Sequence, residues 1–164
     1  MNVRHYIPEE SEMSSLAQEL VSAFRYPEVV YLHGELGAGK TTLVREILRI
    51  LGHSGAVKSP TYTLYETYQL AATEKHSSLT AQHFDLYRLT DPDELEYIGI
   101  RDLLDADLIL VEWPERGDGH LPEATISIDI QYANTRANEG ALADNSPGQR
   151  TEIHGRDVMI TRLE

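Results

Sequence analysis

Gly34-Glu35-Leu36-Gly37-Ala38-Gly39-Lys40-Thr41 carries two glycines, a lysine and a threonine at the G-x-x-x-x-G-K-[ST] spacing, and Thr42 follows. Those residue types at those offsets suit a polyphosphate, held by converging backbone N–H groups at the positive end of a helix. Gly34, Gly37 and Gly39 can take backbone angles that a Cβ would penalise, so the chain can wrap closely around a β-phosphate. The backbone of Glu35, Leu36, Gly37, Ala38 and Gly39 forms the expected cradle, with Thr42 as a further donor to the α-phosphate. Lys40 adds a mobile charge for the β- and γ-phosphates, and the Thr41 hydroxyl is placed to ligate Mg²⁺.

Such a loop needs an acid at the end of a neighbouring strand, because Mg²⁺ between two phosphates is held through carboxylate or water contacts. Leu108-Ile109-Leu110-Val111-Glu112 is four apolar residues closed by an acid, with Glu in place of the commoner Asp. His83-Phe84-Asp85 offers a second carboxylate. Asp85 is one carbon shorter and suits tight placement near metal-bound water; Glu112 reaches further and can also orient an attacking water. The sequence leaves the two roles open between them. Ser59-Pro60-Thr61-Tyr62-Thr63 lies where small nucleotide switches carry a sensing loop, which makes Thr61 a candidate γ-phosphate sensor. A proline-initiated turn entering a strand accounts for Ser59 and Pro60 equally well. His83 and Asp85, at i and i+2 of one strand, face the same way, but no third ligand has the spacing of a zinc site.

The elements that must position these groups are legible from periodicity. Val29 to His33 is an apolar strand of the kind buried on both faces, feeding the loop. A helix follows over about Lys40 to Leu51, with Leu43, Val44, Ile47, Leu48 and Leu51 as its buried stripe and Gly52 as its stop. Upstream, Val3 to Ile7 is a short segment, and Ser11 is the expected N-cap of a helix burying Met13, Leu16, Ala17, Leu20, Val21 and Phe24. Thr61 to Leu70 and Leu79 to Tyr87 read as strands, with a hairpin-like turn over Ala71 to Ser78. Asp91 opens a short helix through Tyr97, Gly99 interrupts it, and Ile100 to Leu104 adds one more turn. Leu108 to Val111 is the second buried strand; Ala124 to Tyr132 alternates as a half-buried one, to which Gln149 to His154 is expected to pair. Asn134 to Pro147, poor in apolar residues, reads as an exposed loop. The sum is a single three-layer α/β domain of P-loop NTPase type, with a mixed, mainly parallel central sheet and an antiparallel extension.

Composition narrows the function. The 164 residues suit one domain and leave no room for a separate catalytic one. Without cysteine there are no disulfides, thiolate metal sites or cysteine nucleophiles. No N-terminal apolar segment resembles a signal peptide and no run approaches a membrane span, so the expectation is a soluble, cytoplasmic protein. The formal charge of −13, with no concentration of Lys and Arg, argues against direct binding of DNA or RNA. It serves solubility, or matches a basic partner or a complex that itself holds nucleic acid.

In order and spacing, Gly-Glu-Leu-Gly-Ala-Gly-Lys-Thr-Thr, Ser-Pro-Thr-Tyr-Thr-Leu, His-Phe-Asp-Leu-Tyr-Arg-Leu, Asp-Glu-Leu-Glu-Tyr-Ile-Gly and Val-Glu-Trp-Pro-Glu resemble the TsaE (YjeE) family. The resemblance covers about Val3 to Ile130, and residues 134–164 match no family motif. It implies an ATPase, using ATP/ADP and Mg²⁺, that acts with TsaB and TsaD in forming N6-threonylcarbamoyladenosine, and that meets tRNA only through that complex. It further implies that Thr41, Asp85 and Glu112 serve the Mg-nucleotide, that Thr61 occupies the switch-like loop, and that Trp113 follows the acid as the family pattern has it. Arg88 within the third motif reads as an exposed charge.

Two other functions compete. A small-molecule or nucleotide kinase needs an acceptor pocket and an arginine-bearing lid, and no Arg-rich insertion is evident. A GTPase-type switch lacks support because the chain has no Asn-Lys-x-Asp sequence for reading guanine. With few cations around the γ-phosphate, the isolated domain is expected to hydrolyse slowly until a partner completes the site.

Overall fold

In the computed structural model, which describes residues 2–72, 77–133 and 155–163, the chain starts with strand β1 (Asn2–Ile7) and helix α1 (Met13–Ala23). Strand β2 (Glu28–His33) leads into α2 (Lys40–Ile50), followed by β3 (Tyr65–Leu70) and β4 (Leu79–Asp85). The short helices α3 (Glu94–Tyr97) and α4 (Ile100–Leu103) precede β5 (Leu108–Glu112), β6 (Ile126–Tyr132) and β7 (Arg156–Arg162). The strands form one sheet in the order β1-β7-β6-β2-β5-β4-β3. Strands β6, β2, β5 and β4 pair in parallel, whereas β7 is antiparallel to both its neighbours and β3 is antiparallel to β4. Five strands therefore point one way, and only β3 and β7 run against them.

Alternation along the strands sorts side chains onto two faces. Val30, Leu32, Leu108 and Leu110 join Leu16, Leu20, Leu43, Val44, Ile47 and Leu48 in the core beneath α1 and α2. Ile109, Val111 and Phe84 point the other way, into a smaller core closed by Leu86, Leu89, Leu95 and Ile100. Each fully buried aliphatic side chain here contributes about 1.5–3 kcal/mol. The second face of β2 is less covered than an all-apolar strand implies: Val29, Tyr31 and His33 are only half-buried, because short helices rather than long ones pack over it.

Several boundaries differ from the sequence reading. Ser11 is not an N-cap: a 3-10 turn over Glu10–Glu12 precedes α1, no side chain caps the helix, and the Ser11 hydroxyl reaches Glu9 at 3.5 Å. Strand β3 starts at Tyr65 rather than Thr61, since Leu64 (φ +67°) closes a turn in which its N–H donates to the Pro60 carbonyl at 2.7 Å. Strand β4 stops at Asp85, two residues short of Tyr87. The antiparallel partner of β6 among the described residues is β7, with Ile128 opposite Ile160. The strand expected at Gln149 to His154, the loop at Asn134 to Pro147 and the middle of the turn between β3 and β4 (73–76) lie outside the described residues. Among the described residues, no helix is long and apolar enough to cross a membrane.

Candidate functional site

The carboxyl ends of β2, β5 and β4 lie at one edge of the sheet, where open α/β sheets bind ligands. After His33 the chain turns through Gly34 (φ +136°), Gly37 (φ +78°) and Gly39 (φ +113°) into the first turn of α2. Gly34 is confined as well as bent. A Cβ on it would stand 2.3 Å from the Ile130 carbonyl oxygen, so the loop can pass under the end of β6 only without a side chain.

Lys40, 4% exposed, folds back over the loop: its ammonium donates to the Gly34 carbonyl at 2.8 Å and the Glu35 carbonyl at 2.9 Å, and lies 4.2 Å from the centre of the Trp113 ring. Burial lowers its pKa below 10.5, opposed by the attraction of Glu112, Asp85 and Glu115. Trp113 sits in the left-handed region (φ +59°), an uncommon conformation for a bulky residue, and packs on Tyr87 at 5.1 Å between ring centres.

Asp85 and Glu112 are direct neighbours across the parallel β4–β5 pair, 4% and 3% exposed. Each is held by its own set of donors. The Thr41 hydroxyl donates to Glu112 Oε1 at 2.8 Å, and His83 Nε2 lies 2.9 Å from the same oxygen. Asp85 Oδ2 accepts from Thr61 at 2.6 Å and from Ser59, and its Oδ1 accepts the Tyr87 N–H at 3.2 Å. Among the buried groups two carboxylates face one ammonium, with the exposed Arg88 the cleft's other cation. No group of three or more His, Cys, Asp and Glu able to hold a metal occurs among the described residues. The donor set is instead Thr41, Glu112 and Asp85, all oxygen, which fits a hard cation such as Mg²⁺ that keeps waters and takes its remaining ligands from phosphates.

These groups line a cleft of about 450 Å³ together with Leu36, Gly37, Gly39, Thr42, Tyr62 and Arg88. Lys40, Thr41, Thr42, Thr61, Asp85, Glu112 and Trp113 thus share one cavity. Glu35 and Ala38 do not line it: the Glu35 side chain is exposed, Ala38 is buried, and the Ala38 N–H donates to the Glu35 carbonyl at 3.1 Å. Thr42 donates its hydroxyl to Glu10 at 3.1 Å.

Sequence reasoning missed four residues. Arg88 and Tyr62 both line the cleft, the guanidinium 4.3 Å above the ring of Tyr62, itself 84% exposed. Ser59 anchors the 59–63 loop on Asp85. His83 faces Glu112 rather than sharing a ligand with Asp85. The β4–β5 register creates the His83 contact, and no local pattern encodes that register. The Ser-Pro-Thr and Asp-Leu-Tyr-Arg motifs were signals for the other three, without geometry.

With the geometry in place, comparison with known proteins gives a consistent answer. A family described as "Threonylcarbamoyl adenosine biosynthesis protein TsaE" matches residues 7–139. The tRNA threonylcarbamoyladenosine biosynthesis protein TsaE of Haemophilus influenzae is 45% identical over 154 residues, covering 90% of this chain and 94% of that one. The protein of the same name from Aquifex aeolicus is 38% identical over 109 residues, covering 65% of this chain and 73% of that one. Among solved structures, "Crystal structure of Bacillus subtilus YdiB" superposes with a TM-score of 0.65 at 24% identity, covering 100% of this chain and 87% of that one, a likeness of fold. The glycine loop, the two acids and the sheet that aligns them are those of a chain that belongs to the TsaE family.

Proposed function

We propose that this protein is a Mg²⁺-dependent ATPase of P-loop NTPase fold that works with TsaB and TsaD in forming N6-threonylcarbamoyladenosine in tRNA, in the cytoplasm and without contacting tRNA itself. The observation that carries the reading is the convergence of Lys40, Thr41, Asp85 and Glu112 in one cleft at the carboxyl edge of the sheet. Family membership supplies the pathway.

Mg²⁺ held by Thr41, Glu112 and Asp85 would supply charge neutralisation to the phosphates. The chain's own residues do the rest. Lys40 exchanges the carbonyls of Gly34 and Glu35 for phosphate oxygens. Thr41 and Glu112, already bonded to each other, hold the cation side of the site. Asp85, backed by Ser59 and Thr61, orients water at the cleft wall and ties that water to the 59–63 loop. Arg88 is the cleft's second cation, stacked on Tyr62 rather than directed at the phosphate loop. Slow hydrolysis by the isolated protein follows, with partners activating it by rearranging the 59–63 loop.

The test is steady-state ATP hydrolysis by the purified protein, alone and with TsaB and TsaD, with Lys40→Ala as control. Stimulation that disappears in Lys40→Ala is the expected result. An unchanged rate on adding partners counts against the reading, and phosphorylation of a small acceptor by the pure protein would replace it with a kinase.

A further inference from the structure

His83 has no part in the chemistry above, yet it is wholly buried on a strand whose next residue inward on the same face is Ala81. Among the described residues only one of its ring nitrogens has a hydrogen-bond partner: Nε2 lies 2.9 Å from Glu112 Oε1, while Nδ1 has none. A ring nitrogen set against a carboxylate oxygen donates, which puts a proton on Nε2. An unpaired buried ring nitrogen is a cost to folding. An apolar side chain of similar size would serve the core of β4 better.

The return on that cost is visible at Glu112. Oε1 accepts both the His83 N–H at 2.9 Å and the Thr41 hydroxyl at 2.8 Å, two contacts that restrain the carboxylate where Glu112 lines the cleft. His83 can do this because it stands two residues before Asp85, the residue in register with Glu112, so its ring reaches forward along the same face of the sheet. Ser59 and Thr61 act in the same way on Asp85. We infer that His83 is a positioning residue that orients Glu112 for the divalent cation, a role that rests on the Mg-nucleotide reading of the cleft.

Three substitutions in the full chain separate this role from packing. His83→Gln places an amide N–H near Nε2, His83→Asn places it nearer Nδ1, and His83→Leu has no donor. Mn²⁺ binding to the ADP-loaded protein, read by electron paramagnetic resonance, should weaken about 10–100-fold in His83→Asn and His83→Leu. His83→Gln should stay near wild type. ADP affinity in EDTA should be unchanged in all three, and the order of Mn²⁺ affinities should not follow the order of urea midpoints. Long-range ¹H–¹⁵N correlation on the metal-free wild type should show the proton on Nε2.

Equal Mn²⁺ affinity across the variants, a His83→Gln no better than His83→Asn, a loss that tracks the urea midpoint, or an Nε2 that carries no proton would each overturn the role. If His83→Leu fails to fold, the comparison of Gln with Asn decides. Wild type that binds no ADP would remove the nucleotide reading and this role together, whereas wild type that binds Mn²⁺ and ADP beside indifferent variants removes only the role of His83.

Discussion

Lys40 neutralises itself against its own loop: two carbonyls and the Trp113 ring stand where phosphate oxygens would otherwise answer its charge. Burial holds its pKa below 10.5 despite the nearby acids. Contact with phosphate favours the charged form and raises that pKa. Between the two values the complex binds more protons than its separated parts, so binding takes up protons there and affinity falls as pH rises through the window. Calorimetric titration with ADP at alkaline pH, just below 10.5, in two buffers of different ionisation enthalpy should show net proton uptake. Lys40→Arg, always charged, should abolish the uptake, and its persistence in that variant would assign the proton elsewhere. Lys40→Ala should weaken ADP binding by about 10–100-fold, the worth of a charge-assisted contact of roughly 1.5–3 kcal/mol. The convergence of Lys40, Thr41, Asp85 and Glu112 was legible because the loop has fixed offsets and each acid ends a strand. His83 and Arg88 were not, since their partners come from elements 29 and 26 residues away.

At the scale of elements, the loop between β2 and α2 is held by its fit beneath β6 as much as by its own turns. Gly34→Ala would drive a Cβ into the Ile130 carbonyl at 2.3 Å at a backbone angle that L-residues rarely adopt. Either the end of β6 moves away or the loop does, and the substitution should cost about 2–4 kcal/mol. Urea denaturation would read the loss as a lower midpoint; wild-type stability in Gly34→Ala would mean the loop has room to shift. Elements with one strong period were plain in the sequence: the stripe of α2 and the alternating Ile126, Ile128 and Ile130 of β6. The start of β3 was not, because Ser59 and Thr61 are engaged by Asp85 and Leu64 ends a turn, so a Thr/Tyr-rich run is divided between loop and strand. Strand β7 was hidden for a related reason. Its polar residues look like loop but act across the sheet, Asp157 pairing with Arg4 at 3.2 Å and Arg162 with Glu28 at 3.2 Å.

Across the whole molecule, the candidate site lies at the carboxyl edge of the sheet, and the opposite edge is fastened by a charged cluster. The Glu28 carboxylate, fully buried at the start of β2, takes both guanidinium nitrogens of Arg162, at 3.3 and 3.2 Å, from beyond the intervening β6. It also accepts the Arg25 N–H at 2.7 Å and the Thr125 hydroxyl, while Arg162 reaches the Ala23 carbonyl at 2.8 Å. One carboxylate thus joins the end of α1, the entry to β6 and the end of β7. The length of β2, roughly 17 Å at about 3.3 Å per residue, separates this cluster from the glycine loop. Sites that far apart with no shared partner are energetically independent. Breaking a buried pair by changing one partner leaves the other charge uncompensated, so Glu28→Gln should lower stability by about 3–5 kcal/mol. Measured below its unfolding transition, the same variant should bind ADP within about twofold of wild type. An affinity loss of tenfold or more in folded Glu28→Gln would show that the two edges are coupled through β2, and that the rigidity of this strand, beyond its mere presence, sets the shape of the phosphate loop.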